Sequence, residues 1–459
     1  MLSPNTWGHS RGGRIAAAVT SGVATRVLSA SATLLTLPLA VRYLGAERFG
    51  VWATIISTVV FLNLLDIGIG STLTNHVAHA YAVGDREYAA RYTTNALALT
   101  IAVASLAGGA LLLAWPHVDW VRMFNVSHSV ATTDVSVTVA AAMALVLIGL
   151  PASLCGRILA GYQEVHFSNL AVAAGTLANF AGLVAGVALK MPMPVLFIMS
   201  SGGVTLANLV AFAGLLFWRR PWLRPRRSQV KWRTTRELLG SGTGFFLIQV
   251  AGAVVFSSDN VVVSHYLGAA QVTPYTVTWR LVGLSALLQG LVFPALWPAY
   301  SEAYTKGDYG WMRSAFRSSL RATFALNLGF ALLLLAVGKP LIRWWAGQAA
   351  VPSMALLAAM TIWAVISGCM TVESCLLAAV NRTRAQGVLS LIAAAVNLGL
   401  SILLVQRIGA VGVISGTICS YLLVLVVPQS LLVKSVLRED SSAGTSPSSQ
   451  LPAASALRV

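Results

Sequence analysis

Twelve apolar stretches, each close to or above the ~20 residues a helix needs to cross a ~30 Å hydrocarbon core, fill most of this 459-residue chain. They lie near 15–41, 49–71, 94–115, 135–156, 168–189, 194–217, 239–263, 275–297, 318–338, 352–376, 385–405 and 409–433. Nothing else in the sequence restricts the fold as strongly. Inside a bilayer the backbone finds no water, so each stretch must close its own hydrogen bonds as a helix. Ten-residue strands of alternating polarity are absent from the sequence, which excludes an outer-membrane barrel. Composition agrees, because only 10% of residues are charged, against ~25% in a soluble domain. The first stretch runs straight into a second and is too long for the ~7–15 residue apolar region of a secretory signal. Cys155, Cys369, Cys375 and Cys419 sit in or beside these stretches with no His at ligand spacing, so no metal site is expected.

The net charge of +17 invites a nucleic-acid role until the basic residues are sorted by side. With the N-terminus inside, 22 of the 31 Lys and Arg fall on the inner side, seven on the outer, and Arg26 and Arg280 within spans. That bias is the positive-inside rule, which predicts cytoplasmic termini and no nucleic-acid partner. The densest run, "WRRPWLRPRRSQVKWRTTREL", carries Arg219, Arg220, Arg224, Arg226, Arg227, Lys231, Arg233 and Arg236. With Trp218, Trp222 and Trp232 interleaved, it reads as a topology determinant touching anionic lipid headgroups.

The chain also repeats itself. Tyr43-Leu44-Gly45-Ala46 returns as Tyr266-Leu267-Gly268-Ala269, 223 positions later. Ala80-Tyr81 with Gly84-Asp85 returns at the same offset as Ala303-Tyr304 with Gly307-Asp308. Leu159-Ala160, Gln163 and Asn179 match Leu377-Ala378, Asn381 and Asn397 at an offset of 218. Six spans separate the copies, so both enter the membrane in the same direction, as a parallel repeat. The expected architecture is an all-α integral membrane protein of twelve transmembrane helices in two six-helix lobes. The segments are a cytoplasmic N-terminus (1–14), an N-lobe (15–218), a basic linker (219–238), a C-lobe (239–437) and a Ser/Pro/Ala-rich tail (438–459) whose composition predicts disorder. Folds of this kind bind substrate near the midplane between repeats.

Charge within a span costs ~2.5–3.5 kcal/mol on insertion scales, so it demands a partner or a wet cavity. Arg26 and Asp66 are equidistant from the turn at Ala46, and Asp259 and Arg280 from the turn at Ala269-Ala270. Equal distance means similar depth, so each pair is placed either to line a cavity or to pin two helices as an ion pair. The first pair is expected between the midplane and the cytoplasmic side, the second nearer the outer side. Asn63, Asn260 and Gln289 are further polar residues in spans, as cavity lining or interhelical glue. Glu373 is a candidate proton carrier. Pro38, Pro151, Pro294 and Pro298 can bend spans, and "VFPALWPAYSEAY" predicts a kink at the end of the eighth. Trp279, Trp297 and Tyr300 offer aromatic faces to sugar rings or serve as interface anchors. The only Gly-Lys pair, Gly338-Lys339, precedes Pro340 and is no phosphate-binding loop. The longest outer loop, 117–134, holds only Asp119, Arg122 and Asp134 as charges. Neither ATP use nor catalysis is expected.

"LPLAVRYLGAERFGVWATIISTVVFLNLLDIGIGSTLTNHVAHAYAVGD", "SSDNVVVSHYLGAAQVTPYTVTWRL" and "ALWPAYSEAYTKGD" together resemble the Wzx-like polysaccharide flippases. These belong to the multidrug/oligosaccharidyl-lipid/polysaccharide exporter superfamily, which includes the MATE transporters. The resemblance extends to about residue 435 and implies a V-shaped fold. It implies transport of an undecaprenyl-diphosphate-linked oligosaccharide from the inner to the outer leaflet of the bacterial inner membrane. It also implies polysaccharide polymerase and export machinery as partners, beside membrane lipid. Related lipid II flippases place arginines of the first and eighth spans in the central cavity, and Arg26 and Arg280 occupy those helices here. Lipid II flippases have fourteen spans and more cavity arginines, which makes a peptidoglycan precursor the poorer match. No cofactor is expected, and coupling to a proton or sodium gradient stays open. The rival reading is a cation-coupled drug or metabolite antiporter of the same superfamily, although such exporters favour carboxylates unaccompanied by Arg.

Overall fold

The structure, a computed structural model, describes residues 11–127, 130–240, 243–380 and 382–438. Most of the segments 1–14 and 438–459, and the motif residue Asn381, lie outside the described residues. Among those described there is no strand. The N-lobe comprises α1 (Arg11–Val60), continued by a 3-10 turn to Asp66, then α2 (Ile69–Val83), α3 (Arg86–Ala114), the short α4 (Trp120–Met123), α5 (Thr132–Gly161), α6 (Val165–Ala188) and α7 (Met193–Gly214). The linker carries α8 (Trp232–Gly240). The C-lobe holds α9 (Thr243–Leu267), α10 (Ala269–Val282), α11 (Leu284–Thr305), α12 (Tyr309–Ala346), α13 (Met354–Ala379), α14 (Thr383–Ile408), α15 (Ala410–Tyr421) and α16 (Val427–Arg438).

Nine helical segments among the described residues are long and apolar enough to cross a membrane. Three features separate that number from the expected twelve: the first two spans are counted as one, the eighth is divided, and the seventh, α9, is not among the nine. The segment Thr20–Asp66 is 47 residues long and doubles back at Gly45 (φ 75°, ψ 172°). Before the turn, the hydroxyls of Thr25 and Tyr43 donate to the carbonyls of Asn169 and Met191, at 3.2 and 2.8 Å. After it, Asn63 and Asp66 share a cavity with Arg157 at the end of α5, so the chain has returned to the end it left. The eighth expected span is divided at Gly283 into α10 and α11. Helix α11 continues through Pro294 and Pro298 to Thr305, because in an apolar medium the remaining helical hydrogen bonds have no competitor.

The duplication is visible as repeated backbone geometry. Gly45 and Gly268 both take positive φ, 75° and 89°, where glycine alone is unstrained. Gly84 and Gly307 do the same at 75° and 71°. The N–H groups of Asp85 and Asp308 then bond the carbonyls of Ala80 and Ala303 at 3.0 and 2.9 Å. Each Asp caps the next helix, accepting from Tyr88 N at 2.8 Å and Trp311 N at 2.9 Å. Asp85→Ala and Asp308→Ala are each expected to destabilise the protein by about 1 kcal/mol, measured as thermal unfolding in detergent. A loss in only one half would show that the two caps are not equivalent.

Three cores define the shape. One is shared by both lobes, from Leu37 and Trp52 to Tyr275 and Trp363. A second, around Leu73, Ile158 and Leu238, is confined to the N-lobe and linker. A third, around Tyr300, Leu376 and Val433, is confined to the C-lobe. The lobes therefore close on one another at the end bearing Gly45 and Gly268 and separate toward the end bearing the basic linker. Leu106, Leu112 and Leu113, on the flank of α3, are 75–78% exposed, which suits lipid.

Candidate functional site

The closed end is a seam with the symmetry of the repeat. Thr273 donates its hydroxyl to the Ala46 carbonyl. The position equivalent to Thr273 is Gly50, and the position equivalent to Ala46 is Ala269, both 223 residues apart. A Cβ on Gly50 would lie 1.7 Å from the Ala269 carbonyl oxygen, so backbone meets backbone there. Around this contact Ser264 donates to the Phe124 carbonyl at 2.7 Å, Asn125 to that of His265 at 3.1 Å, and Trp345 to that of Leu34 at 2.9 Å.

Below the seam lies a cavity of about 350 Å³ between the lobes. Its walls combine apolar side chains such as Leu37, Trp52 and Phe180 with hydroxyl and amide groups of α1, α6 and α7, including Thr33, Ser57, Asn179 and Ser200, and with Asn260, Thr276 and Arg280 from the C-lobe. Asn260 donates to Ser57 Oγ at 2.9 Å and accepts from Thr276 at 3.0 Å. Arg280 is the only charged residue among the lining. It is exposed to the cavity, and its guanidinium makes no hydrogen bond or ion pair among the described residues. Five N–H donors thus face the space between the lobes.

Each lobe also contains its own chamber. The N-lobe chamber, about 590 Å³, is lined by Asn63, Asp66, Ser153 and Arg157, is met by Gln249 from the C-lobe helix α9, and shares Ile56, Asn179, Ser200 and Ser201 with the central cavity. The Asp66 carboxylate accepts from Gly70 N at 3.0 Å. Arg157 Nε crowds the same glycine, where a Cβ would lie 2.8 Å from it and 3.2 Å from Asp66 Oδ2. The C-lobe chamber, about 540 Å³, is bounded by Trp279, Gln289, Trp363, Gln386 and Gln429.

Several expected placements change. Neither the Arg26–Asp66 nor the Asp259–Arg280 ion pair occurs. Asp259 is buried, accepts from the Tyr275 hydroxyl at 2.6 Å and leaves Oδ1 without a partner. It therefore lies in the packing of α9 on α10 and not on the cavity wall. Asp259 and Asn260 are successive helical residues about 100° apart, so only one can face the seam. Arg26 shares a helical face with Ser29 and Thr33 but lies a turn nearer the basic end, outside the described lining. Glu373 accepts from Ser430 at 2.7 Å between α13 and α16 and is not among the residues lining the three spaces. Apolarity alone does not reach Arg157, because the fourth apolar stretch, 135–156, stops one residue short. The helix continues to Gly161 and carries the guanidinium inside.

The basic linker is fastened and not loose. Arg219 and Arg220 pair with Glu164 at 3.2 and 2.9 Å, and Arg220 stacks over Tyr162. Arg224 donates to the carbonyls of Leu216 and Phe217. Asn95 bonds Gln229 O and Lys231 N at 2.8 and 2.9 Å. The Tyr92 hydroxyl bonds Glu237 and holds that carboxyl below its usual range. Arg233 pairs with Glu237 at 3.3 Å. Arg226, Arg227 and Arg236 keep exposed side chains without partners among the described residues, and Lys231 is exposed beside them. Glu164→Ala should cost about 1–3 kcal/mol of thermal stability by releasing two guanidinium groups, one of them largely buried. An unchanged melting curve would count against the linker being clamped.

A family model described as "Polysaccharide biosynthesis protein" matches residues 15–303. The "Putative O-antigen transporter" of Salmonella typhi is 23% identical over 311 residues, 66% of this chain and 69% of that protein. Among solved structures, an inward-facing multidrug resistance MATE family transporter of the MOP superfamily superposes with a TM-score of 0.76 at 16% identity. It covers 92% of this chain and 100% of its own. An outward-facing MATE transporter superposes at 0.58 and 15% identity, over 91% and 96%. The fold is that of these transporters, in the arrangement closed at the seam.

Proposed function

We propose that this chain, which belongs to the polysaccharide biosynthesis protein family, flips an undecaprenyl-diphosphate-linked oligosaccharide across the bacterial inner membrane by alternating access. The observation that carries the reading is the Arg280 guanidinium, without a partner among the described residues, in a cavity between the lobes that also presents Ser, Thr and Asn side chains. Moving an ionised group into a medium of low dielectric costs tens of kcal/mol by Born estimates, and each unbonded hydroxyl adds several. A guanidinium matches phosphate oxygens in pairs, and the surrounding Ser, Thr and Asn groups replace water at the sugar. The polyprenyl tail stays in lipid while the headgroup passes between the lobes.

The lobes part toward the basic linker, which the positive-inside bias puts in the cytoplasm with both termini. The state is thus one that loads from the cytoplasmic leaflet, where the lipid-linked unit is built. Release requires the seam at Gly50 and Thr273 to open. Gradient coupling, by proton or sodium, falls to Asp66, the carboxylate that lines a chamber. The same carboxylate favours a second reading, a cation-coupled antiporter of drugs or metabolites, in which Arg280 would repel cationic drugs. Polysaccharide polymerase and export machinery are the partners that would consume the product.

Purified protein in liposomes loaded with undecaprenyl-diphosphate oligosaccharide bearing a fluorophore on the glycan tests the reading. Protein-containing vesicles should expose the fluorophore to an external quencher faster than protein-free vesicles. Equal rates, with cationic drug uptake in the same vesicles, would establish the antiporter instead.

A further inference from the structure

We infer that the C-lobe chamber binds the uncharged sugar rings of the substrate, beside the guanidinium that receives its phosphates. This rests on the flippase reading above.

The argument begins with the duplication. At an offset of 223, Ile56, Val59, Val60, Asn63 and Asp66 of the N-lobe chamber become Trp279, Val282, Gly283, Ala286 and Gln289, and all ten line their respective spaces. At an offset of 218, Leu145, Gly149 and Ser153 become Trp363, Ser367 and Thr371, again lining in both lobes. The two chambers are therefore copies of one ancestral space. Their chemistry has diverged in a consistent direction. The N-lobe copy holds Asp66 and Arg157. In the C-lobe these positions are Gln289 and Cys375, and no charged residue is among the described lining. Two aliphatic walls, Ile56 and Leu145, have become tryptophans.

Charge was replaced by amides, of which Gln289 and Gln429 are set into the chamber wall and largely buried. Gln386 and Gln429 both donate to Ser374 Oγ, at 2.6 and 3.1 Å, and Gln429 also donates to the Met370 carbonyl at 3.1 Å. Gln289 donates to Asn327 at 3.3 Å. All three amides are thus anchored through nitrogen, while none of their carbonyl oxygens has a partner among the described residues. Fixed neutral acceptors beside aromatic faces suit sugar rings, which present hydroxyl donors at their rim and apolar C–H faces above and below. Phe256 and Trp279, centroids 6.4 Å apart, supply such a platform, and Phe256 is 52% exposed. The volume falls in the ~300–1,000 Å³ range of small-ligand sites. Trp279 and Arg280 are neighbours on α10, one facing the chamber and the other the central cavity. A sugar bonded directly to a diphosphate has its two parts that close together.

The test uses full-length protein in a detergent without a sugar headgroup, and saturation-transfer NMR. The probes are methyl glycosides of glucose, galactose, N-acetylglucosamine and N-acetylgalactosamine, with inorganic pyrophosphate as a separate probe. At least one glycoside should bind. Gln429→Leu should weaken it about tenfold, the ~1.4 kcal/mol that one or two hydrogen bonds supply. Ser390→Phe, which fills the chamber from α14 and removes only a bond to its own helix, should abolish it. If Gln429→Leu does not fold, Ser390→Phe decides. No binding by any glycoside, or binding unchanged in Ser390→Phe, overturns the inference. Pyrophosphate reports separately on Arg280: if its binding survives Arg280→Gln, the flippase reading fails whatever the glycosides do.

Discussion

Gly50→Val is expected to stop polysaccharide export with the protein still inserted at normal level. The reason is geometric. The Cβ position at residue 50 lies 1.7 Å from the Ala269 carbonyl oxygen and 2.6 Å from its carbon. Both partners are helical backbone, so no side chain can rotate away. Overpacking of a core costs about 1–3 kcal/mol, and the shift here has to be taken by the lobes as rigid bodies. Because the seam forms only in the state closed at this end, the whole cost falls on that state. Each ~1.4 kcal/mol is tenfold in population, so the inward-open state would fall by up to about two orders of magnitude. A cysteine at Ser57, in the cavity wall, should then react with an impermeant thiol reagent added from outside, with the four native cysteines replaced. It should stay protected when residue 50 is glycine. Protection and normal export in Gly50→Val would show that the seam is not the gate. Thr273→Val, at the equivalent position, removes a single hydrogen bond worth about 1 kcal/mol and should have a mild effect.

Arg280→Gln should reduce export by about ten- to a hundredfold while leaving folding intact, since the guanidinium makes no hydrogen bond or ion pair among the described residues. Hydrogen bonds to charged groups contribute about 1.5–3 kcal/mol, and the fork of a guanidinium supplies two toward one phosphate. Arg280→Lys keeps the charge without the fork and should recover part of the rate. Arg26→Gln should matter less, because Arg26 lies a turn below the described lining. Asp259→Asn should act on stability more than on transport, given that its carboxylate is bonded to Tyr275 inside the lobe. Surface polysaccharide and protein level, measured together, check the series. Full export in Arg280→Gln would remove the central support for an anionic headgroup in this cavity.

Some of this could be read from residues alone. Helical spans follow from run length against bilayer thickness, because every apolar run of that length faces the same backbone constraint. The parallel repeat follows from spaced letters, and Gly45 with Gly268, and Asp85 with Asp308, keep it legible because each does a local backbone task. Height along a hairpin is legible too, since distance from the turn counts at 1.5 Å per residue.

Azimuth was not. Whether Asp259 or Asn260 faces the other lobe depends on a rotation of about 100° per residue, and both faces of a buried helix are apolar enough to hide the answer. The Asp66–Arg157 juxtaposition, the Gly50–Ala269 seam and the paired chambers join residues tens to hundreds of positions apart. Linear patterning specifies what each segment must bury, and it determined the spans, the duplication and the charge asymmetry of this protein. Only the packing of one helix against another decided which of its polar groups meet, and which are left facing open space.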